Sequence, residues 1–84
     1  MAAMAPLPRW AGGIKKLRVR LGLSQALLAE QLRCSSMSVS RWERGINEPP
    51  AQCYLELGKL AGKPDCWFFW GRVNLRKEYV RTLL

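Results

Sequence analysis

The 84-residue chain has no histidine, so it lacks the side chain most used for proton transfer near neutral pH and the commonest nitrogen ligand of metals. Acidic residues are few: the six Asp and Glu are scattered singly along the chain, and no glycine-rich phosphate loop accompanies them. These absences argue against an enzyme. Cys34, Cys53 and Cys66 stand far apart with no C-x-x-C pair, which disfavours a zinc site and suits reduced thiols packed as small hydrophobes, with a redox sensor or a stray disulfide as the lesser alternative. No apolar run approaches the roughly 20 residues that span a bilayer. The opening MAAMAPLPRWAGG has neither a basic n-region nor a long apolar h-region, so the expectation is a cytoplasmic protein with no metal, no cofactor and no membrane segment.

Positive charge is in excess. Fourteen Lys and Arg give a formal net charge of +8, which favours a polyanionic partner without separating DNA, RNA and acidic lipid. A hydrophobic content of 49% is ordinary for a folded chain with one modest core.

Residues 1–13 carry two prolines and two adjacent glycines without periodicity and read as a flexible arm, with Trp10 folded back onto the domain. Ile14, Leu17, Arg18 and Leu21 predict a first helix stopped by Gly22. Ser24 caps a second helix over Gln25 to Leu32, with Leu27, Leu28, Ala29 and Leu32 facing inward. Arg33, Cys34 and Ser35 form a tight turn, and Ser35 caps a third helix over Ser36 to Arg44 that Gly45 closes. Beyond Pro49 and Pro50, a fourth helix is expected from Ala51, burying Tyr54, Leu57, Leu60 and Ala61, with Gly58 at a close packing point and Gly62 as the stop. Pro64 and Asp65 open a fifth helix over Cys66 to Trp70 before Gly71. Leu75, Tyr79 and Leu83 recur at helical spacing and predict an extra C-terminal helix. The fold class is all-α, with one domain over 14–71 and a basic amphipathic tail over 72–84.

The segment from Leu23 to Gly45 carries the function. With about 100° per residue and Ser36 at the origin, Ser40, Arg44, Met37 and Arg41 fall within about 140° of it, while Ser38, Trp42 and Val39 fall between about 200° and 300°. Two short amphipathic helices with such an outward face are the pattern of a helix-turn-helix, which lays its second helix in the major groove of DNA. Residues 14–46 hold seven basic and two acidic residues, a net of +5. Arg41 suits a bidentate contact with guanine N7 and O6, against the alternative of a solvated or phosphate-bound arginine. Ser36 can reach a base edge directly or through water, whereas Met37 offers only apolar surface, for example to a thymine methyl. Ser24, Ser35, Ser40, Arg44 and Asn47 border the same surface as candidate phosphate contacts, and Gln25 sits in a helical first turn that favours phosphate. Glu48 opposes such a surface unless it points away, and Lys15, Lys16 and Arg20 suit a solvated helix face equally well. Glu43 is expected to face inward, since its carboxylate would repel phosphate.

With Gly22-Leu23-Ser24-Gln25, Leu28-Ala29-Glu30 and Val39-Ser40-Arg41-Trp42-Glu43-Arg44-Gly45 at this spacing, the chain resembles the Cro and phage-repressor (XRE-like) helix-turn-helix DNA-binding family. The resemblance covers roughly Ile14 to Gly71. It implies a five-helix repressor-like domain whose third helix brings Ser36, Met37 and Arg41 to base edges, while Gln25 touches the DNA backbone. It also implies an ion pair between Arg18 and Glu43 that fixes the third helix. A homodimer through Trp67, Phe68, Phe69 and Trp70 would set two recognition helices about 34 Å apart on a pseudopalindromic operator; the alternative is that these rings complete the monomer core. Arg33 departs from the family, which commonly has glycine there, so either the arginine takes a left-handed conformation or the turn is rearranged. Cys34 replaces a valine-like residue and is expected to fill the same core site. The favoured function is sequence-specific binding of double-stranded DNA by a bacterial or phage transcriptional regulator, a repressor or antitoxin-like autoregulator, nucleoid-associated in the cytoplasm. The alternatives are a protein–protein interaction module of the same fold, with a protein partner, and a basic binder of RNA or anionic membranes.

Overall fold

The computed structural model describes residues 6–74. Helix α1 spans Arg9–Arg20, α2 Gln25–Leu32, α3 Ser36–Glu43, α4 Ala51–Ala61 and α5 Cys66–Trp70, and a 3-10 turn follows over Gly71–Val73. Among the described residues there is no strand. The chain divides into two units between Glu48 and Pro49, so that α1, α2 and α3 belong to the first and α4 and α5 to the second.

In the first unit the buried face is drawn from Ala11, Ile14 and Leu17 of α1, Leu28, Ala29 and Leu32 of α2, and Val39 and Trp42 of α3. The spacing predicts a start at Ile14, yet α1 begins at Arg9, and residues 9–13 are helical rather than an arm. Gly12 and Gly13 cost the helix roughly 1 kcal/mol each, but complete burial of Ala11 and half-burial of Trp10 give the extra turn an apolar face. The segment before it is also packed: a Cβ on Gly45 would meet Pro8 Cδ at 2.8 Å and Leu7 Cδ2 at 3.2 Å. Two leucines expected inward are exposed, Leu21 by 37% and Leu27 by 48%. Leu21 is already the cap residue of α1, and Leu27 lies about 100° behind the stripe that Leu28, Ala29 and Leu32 define.

All three helices of this unit end in the same way. The amide of the residue in the left-handed region bonds a carbonyl three back, and the next amide bonds one five back. Gly22 reaches Val19 and Leu23 reaches Arg18, Arg33 reaches Glu30 and Cys34 reaches Ala29, and Gly45 reaches Trp42 and Ile46 reaches Arg41. This Schellman arrangement satisfies carbonyls that a helix end leaves open. Two of the three left-handed positions are glycine; the third is Arg33, with φ 57° and ψ 45°. The arginine therefore takes the left-handed conformation and the turn keeps its form.

The buried apolar residues of the second unit are Cys53, Tyr54 and Leu57 of α4 and Cys66, Phe69 and Trp70 of α5. Leu60 and Ala61, expected in this core, are only half-buried in the last turn of α4. Gly58 is buried because the indole of Trp70 lies against its Cα: a Cβ there would overlap Nε1, Cδ1 and Cε2 of the ring. Trp70 Nε1 donates to the Leu55 carbonyl at 3.0 Å, and Trp67 meets Trp70 edge-on with centroids 5.3 Å apart. Helix α5 has the expected bounds before Gly71, whose φ of −61° then leads into the 3-10 turn that Asn74 at φ 59° ends. The expected C-terminal helix lies outside the described residues.

Cys53 and Cys66 are buried, Cys34 is half-buried rather than fully in the core, and no disulfide joins them. Burial, with a smaller contribution from the Glu56 carboxylate, pushes the Cys53 thiol up from its ordinary value. It stays protonated and inert in neutral solution. No helix among the described residues is long and apolar enough to cross a membrane, and none of their His, Cys, Asp and Glu side chains cluster as a metal site.

Gly58→Ala sets a helix-propensity gain of about 1 kcal/mol against a clash with a ring that is hydrogen-bonded in place. The clash is larger, and the variant is expected to lose at least about 1 kcal/mol in urea unfolding; a midpoint equal to or above that of the native chain would contradict this packing.

Candidate nucleic-acid interface

One carboxylate joins the three helices of the first unit. Glu43, in the last turn of α3, is 6% exposed. Arg18 of α1 grips it with two parallel bonds, Nε to Oε2 at 2.6 Å and Nη2 to Oε1 at 3.0 Å. Gln25, the first residue of α2, donates its amide Nε2 to Oε1 at 3.3 Å. The remaining arm of the guanidinium, Nη1, donates to the Leu23 carbonyl at 3.0 Å and so ties the α1–α2 connection to the same point. Burying a carboxylate costs several kcal/mol, and a bidentate charge-assisted pair with a further donor offsets that cost. No buried side-chain nitrogen or oxygen among the described residues lacks a partner.

The hydrogen bond to Glu43 is the main cause holding the Arg18 guanidinium above its ordinary pKa, against the opposing effect of burial. A raised pKa on a base means that the stability it lends is complete below the arginine range and is lost only as pH climbs through it. Around neutrality the Arg18 guanidinium therefore keeps its charge.

With Val39, Trp42 and Glu43 turned inward, the rest of α3 is left facing solvent. Ser36, Met37 and Arg41 are exposed, and Ser40 is half-exposed between them. The Arg41 side chain makes no hydrogen bond or ion pair among the described residues, whereas Arg44 Nε folds back to the Ser40 carbonyl at 3.3 Å. Arg33 and Asn47 are exposed at either end of the helix.

The starts of α2 and α3 are each held by a serine. Ser24 Oγ accepts from the Leu27 amide at 3.0 Å, and Ser35 Oγ accepts from the Ser38 amide at 3.1 Å while sharing a bond with Ser38 Oγ at 3.0 Å. Capping uses one lone pair of each hydroxyl and leaves other amides of the first turn open to an anion.

The structure brings Arg18, Gln25 and Glu43 together and puts Ser36, Met37, Ser40 and Arg41 on one helix face. It does not bring the four aromatics to one surface. Phe69 and Trp70 are buried, Trp70 against Gly58 of α4, while Phe68 is 39% exposed and Trp67 half-buried. Sequence reasoning missed the Gln25 to Glu43 bond and the Arg18 to Leu23 bond. The signal for the first was the presence of a long amide at the first position of a helix whose neighbour buries a carboxylate.

A family model described as Helix-turn-helix matches residues 14–52. The chain is 36% identical over 58 residues to the HTH-type transcriptional regulator DicA of Escherichia coli (strain K12), a stretch covering 69% of this chain and 43% of that protein. It therefore spans less than half the length of the curated relative it matches. No solved structure matches it.

Two stability predictions follow from this geometry. Glu43→Ala strands the Arg18 charge and is expected to cost about 3 kcal/mol, whereas Arg18→Met combined with Glu43→Met is expected to cost less than the sum of the single changes. Additive effects in thermal melts would rule out the coupling. Arg33→Gly removes the left-handed penalty, which exceeds glycine's entropic cost, and is expected to stabilise the chain by up to about 1 kcal/mol; a lowered melting temperature would show that the arginine side chain itself holds the turn.

Proposed function

Through residues 14–52 the chain belongs to the Cro and phage-repressor type of helix-turn-helix proteins, and from this we propose that it is a transcriptional regulator that binds double-stranded DNA in a sequence-specific way. The carrying observation is the division of α3: Val39, Trp42 and Glu43 are locked into the first unit, while Ser36, Met37 and Arg41 are presented to solvent. A helix held from behind and polar in front is what a major groove accepts.

In this reading Arg41 is the principal base-reading donor, and Ser36 and Met37 supply lesser contacts. Gln25, Ser24, Ser35, Ser40, Arg44 and Asn47 bind phosphates and set the register of α3 without conveying sequence. Gln25 serves twice, since one amide hydrogen holds Glu43 and the rest of the group is available to DNA. The regulator acts in the cytoplasm on nucleoid DNA as a non-catalytic binder. A twofold homodimer on a pseudopalindrome fits the family, and Phe68 with Trp67 is the apolar surface of α5 available for it. Occupancy of an operator by such a dimer represses the promoter it overlaps.

The test is selection of duplexes from a random library by the full chain, followed by competition among the enriched duplex, single-stranded RNA and anionic vesicles at matched salt. The enriched duplex is expected to win. Arg41→Ala should cost about 1 to 3 kcal/mol and relax preference at one position of each half-site, whereas Arg44→Ala should weaken all duplexes evenly and lower the salt slope by about one. Equal affinity for the three competitors would overturn the proposal.

A further inference from the structure

Base edges can be told apart only by the chemistry that α3 presents. Its exposed and half-exposed side chains before the C-terminal cap are Ser36, Met37, Ser38, Ser40 and Arg41. The carboxylate of the helix, Glu43, is consumed by Arg18 and Gln25, and Ser38 is engaged with Ser35. The helix thus lacks the amide that pairs with the adenine edge and has no available carboxylate to accept from the cytosine amino group. Two groups of definite preference remain. Arg41 is uncommitted among the described residues and matches guanine. Met37, 55% exposed, carries a flexible apolar thioether chain with no strong donor, and the apolar feature of the major groove is the C5-methyl of thymine.

Met37 and Arg41 are four residues apart, so they stand one above the other on the same stripe of α3 with Cβ atoms about 6 Å apart. Stacked base pairs rise about 3.4 Å per step. Resting on the DNA-binding reading above, we propose that Met37 is a specificity-determining residue that reads a thymine methyl about two base steps from the guanine bound by Arg41. Discrimination beyond the guanine then depends chiefly on a methyl group, because a serine hydroxyl such as that of Ser36 bonds to donor and acceptor edges alike. Exposure of Met37 has a function in this account: burying it against the methyl removes apolar surface from water on both partners.

The experiment compares the enriched duplex with the same duplex carrying deoxyuridine in place of that thymine, a change that deletes the methyl and leaves all hydrogen-bonding groups in place. The native chain is expected to bind the deoxyuridine duplex about three- to fivefold more weakly, the loss expected for one buried methyl-sized group. Met37→Ala is expected to bind both duplexes equally, and Met37→Leu, which keeps the apolar contact, to retain the difference. Circular dichroism checks the fold of each variant, which a solvent-facing substitution should preserve. Tight binding of the enriched duplex with no thymine-to-uracil effect would overturn the methyl contact and leave the DNA-binding reading standing. Persistence of the full effect in Met37→Ala would move the contact to another residue. Failure to enrich any duplex would overturn both readings.

Discussion

The first unit is organised around a buried negative charge. Glu43 sits almost without solvent at the point where α1, α2 and α3 meet, and its oxygens accept from a guanidinium on one helix and a carboxamide on another. A carboxylate in that position is destabilising unless all of these donors are in place, so the three helices have one mutual arrangement in which the charge is satisfied. Apolar contacts through Ile14, Leu28, Val39 and Trp42 supply cohesion but tolerate small slides. The ion pair does not, because a bidentate arginine contact fixes distance and plane together.

That constraint determines which way α3 faces. A helix of only eight residues has little intrinsic stability, and α3 is held at both ends: by the Ser35 cap at its start and by Glu43 with the Schellman turn at Gly45 at its finish. What is left outward is a short polar stripe with an arginine, Arg41, whose side chain no partner among the described residues claims. The same carboxylate connects this stripe to the start of α2 through Gln25. A phosphate bound by that residue would therefore bear on the orientation of the helix that reads the bases, making positioning and readout one mechanical unit.

Much of this was legible in the residues, for different physical reasons at different places. Helix α2 was readable to its ends because Ser24 and Leu32 bracket an unbroken apolar stripe. The inward turn of Glu43 followed from the cost of a carboxylate near phosphate and from the family resemblance, although at about 100° per residue its position falls beside that of Ser36. Helix α1 was misjudged by five residues because Gly12 and Gly13 look like breakers, and only burial of Ala11 makes them tolerable. Arg33 could not be decided in advance, since the steric penalty of the left-handed region is small enough for the two hydrogen bonds of the helix end to outweigh it. The aromatic run Trp67 to Trp70 was ambiguous for a further reason: composition counts apolar area, whereas a five-residue helix buries some of its rings, here Phe69 and Trp70, and leaves others such as Phe68 toward water.

The central claim is that the outward face of α3 lies in the major groove. Methylation interference on the enriched duplex tests it directly, because methylation of guanine N7 blocks the major-groove edge while leaving the minor groove unchanged. The account predicts that N7-methylation of one guanine in each half-site, the two about one helical turn apart, abolishes binding. Binding that survives methylation of every guanine would contradict it.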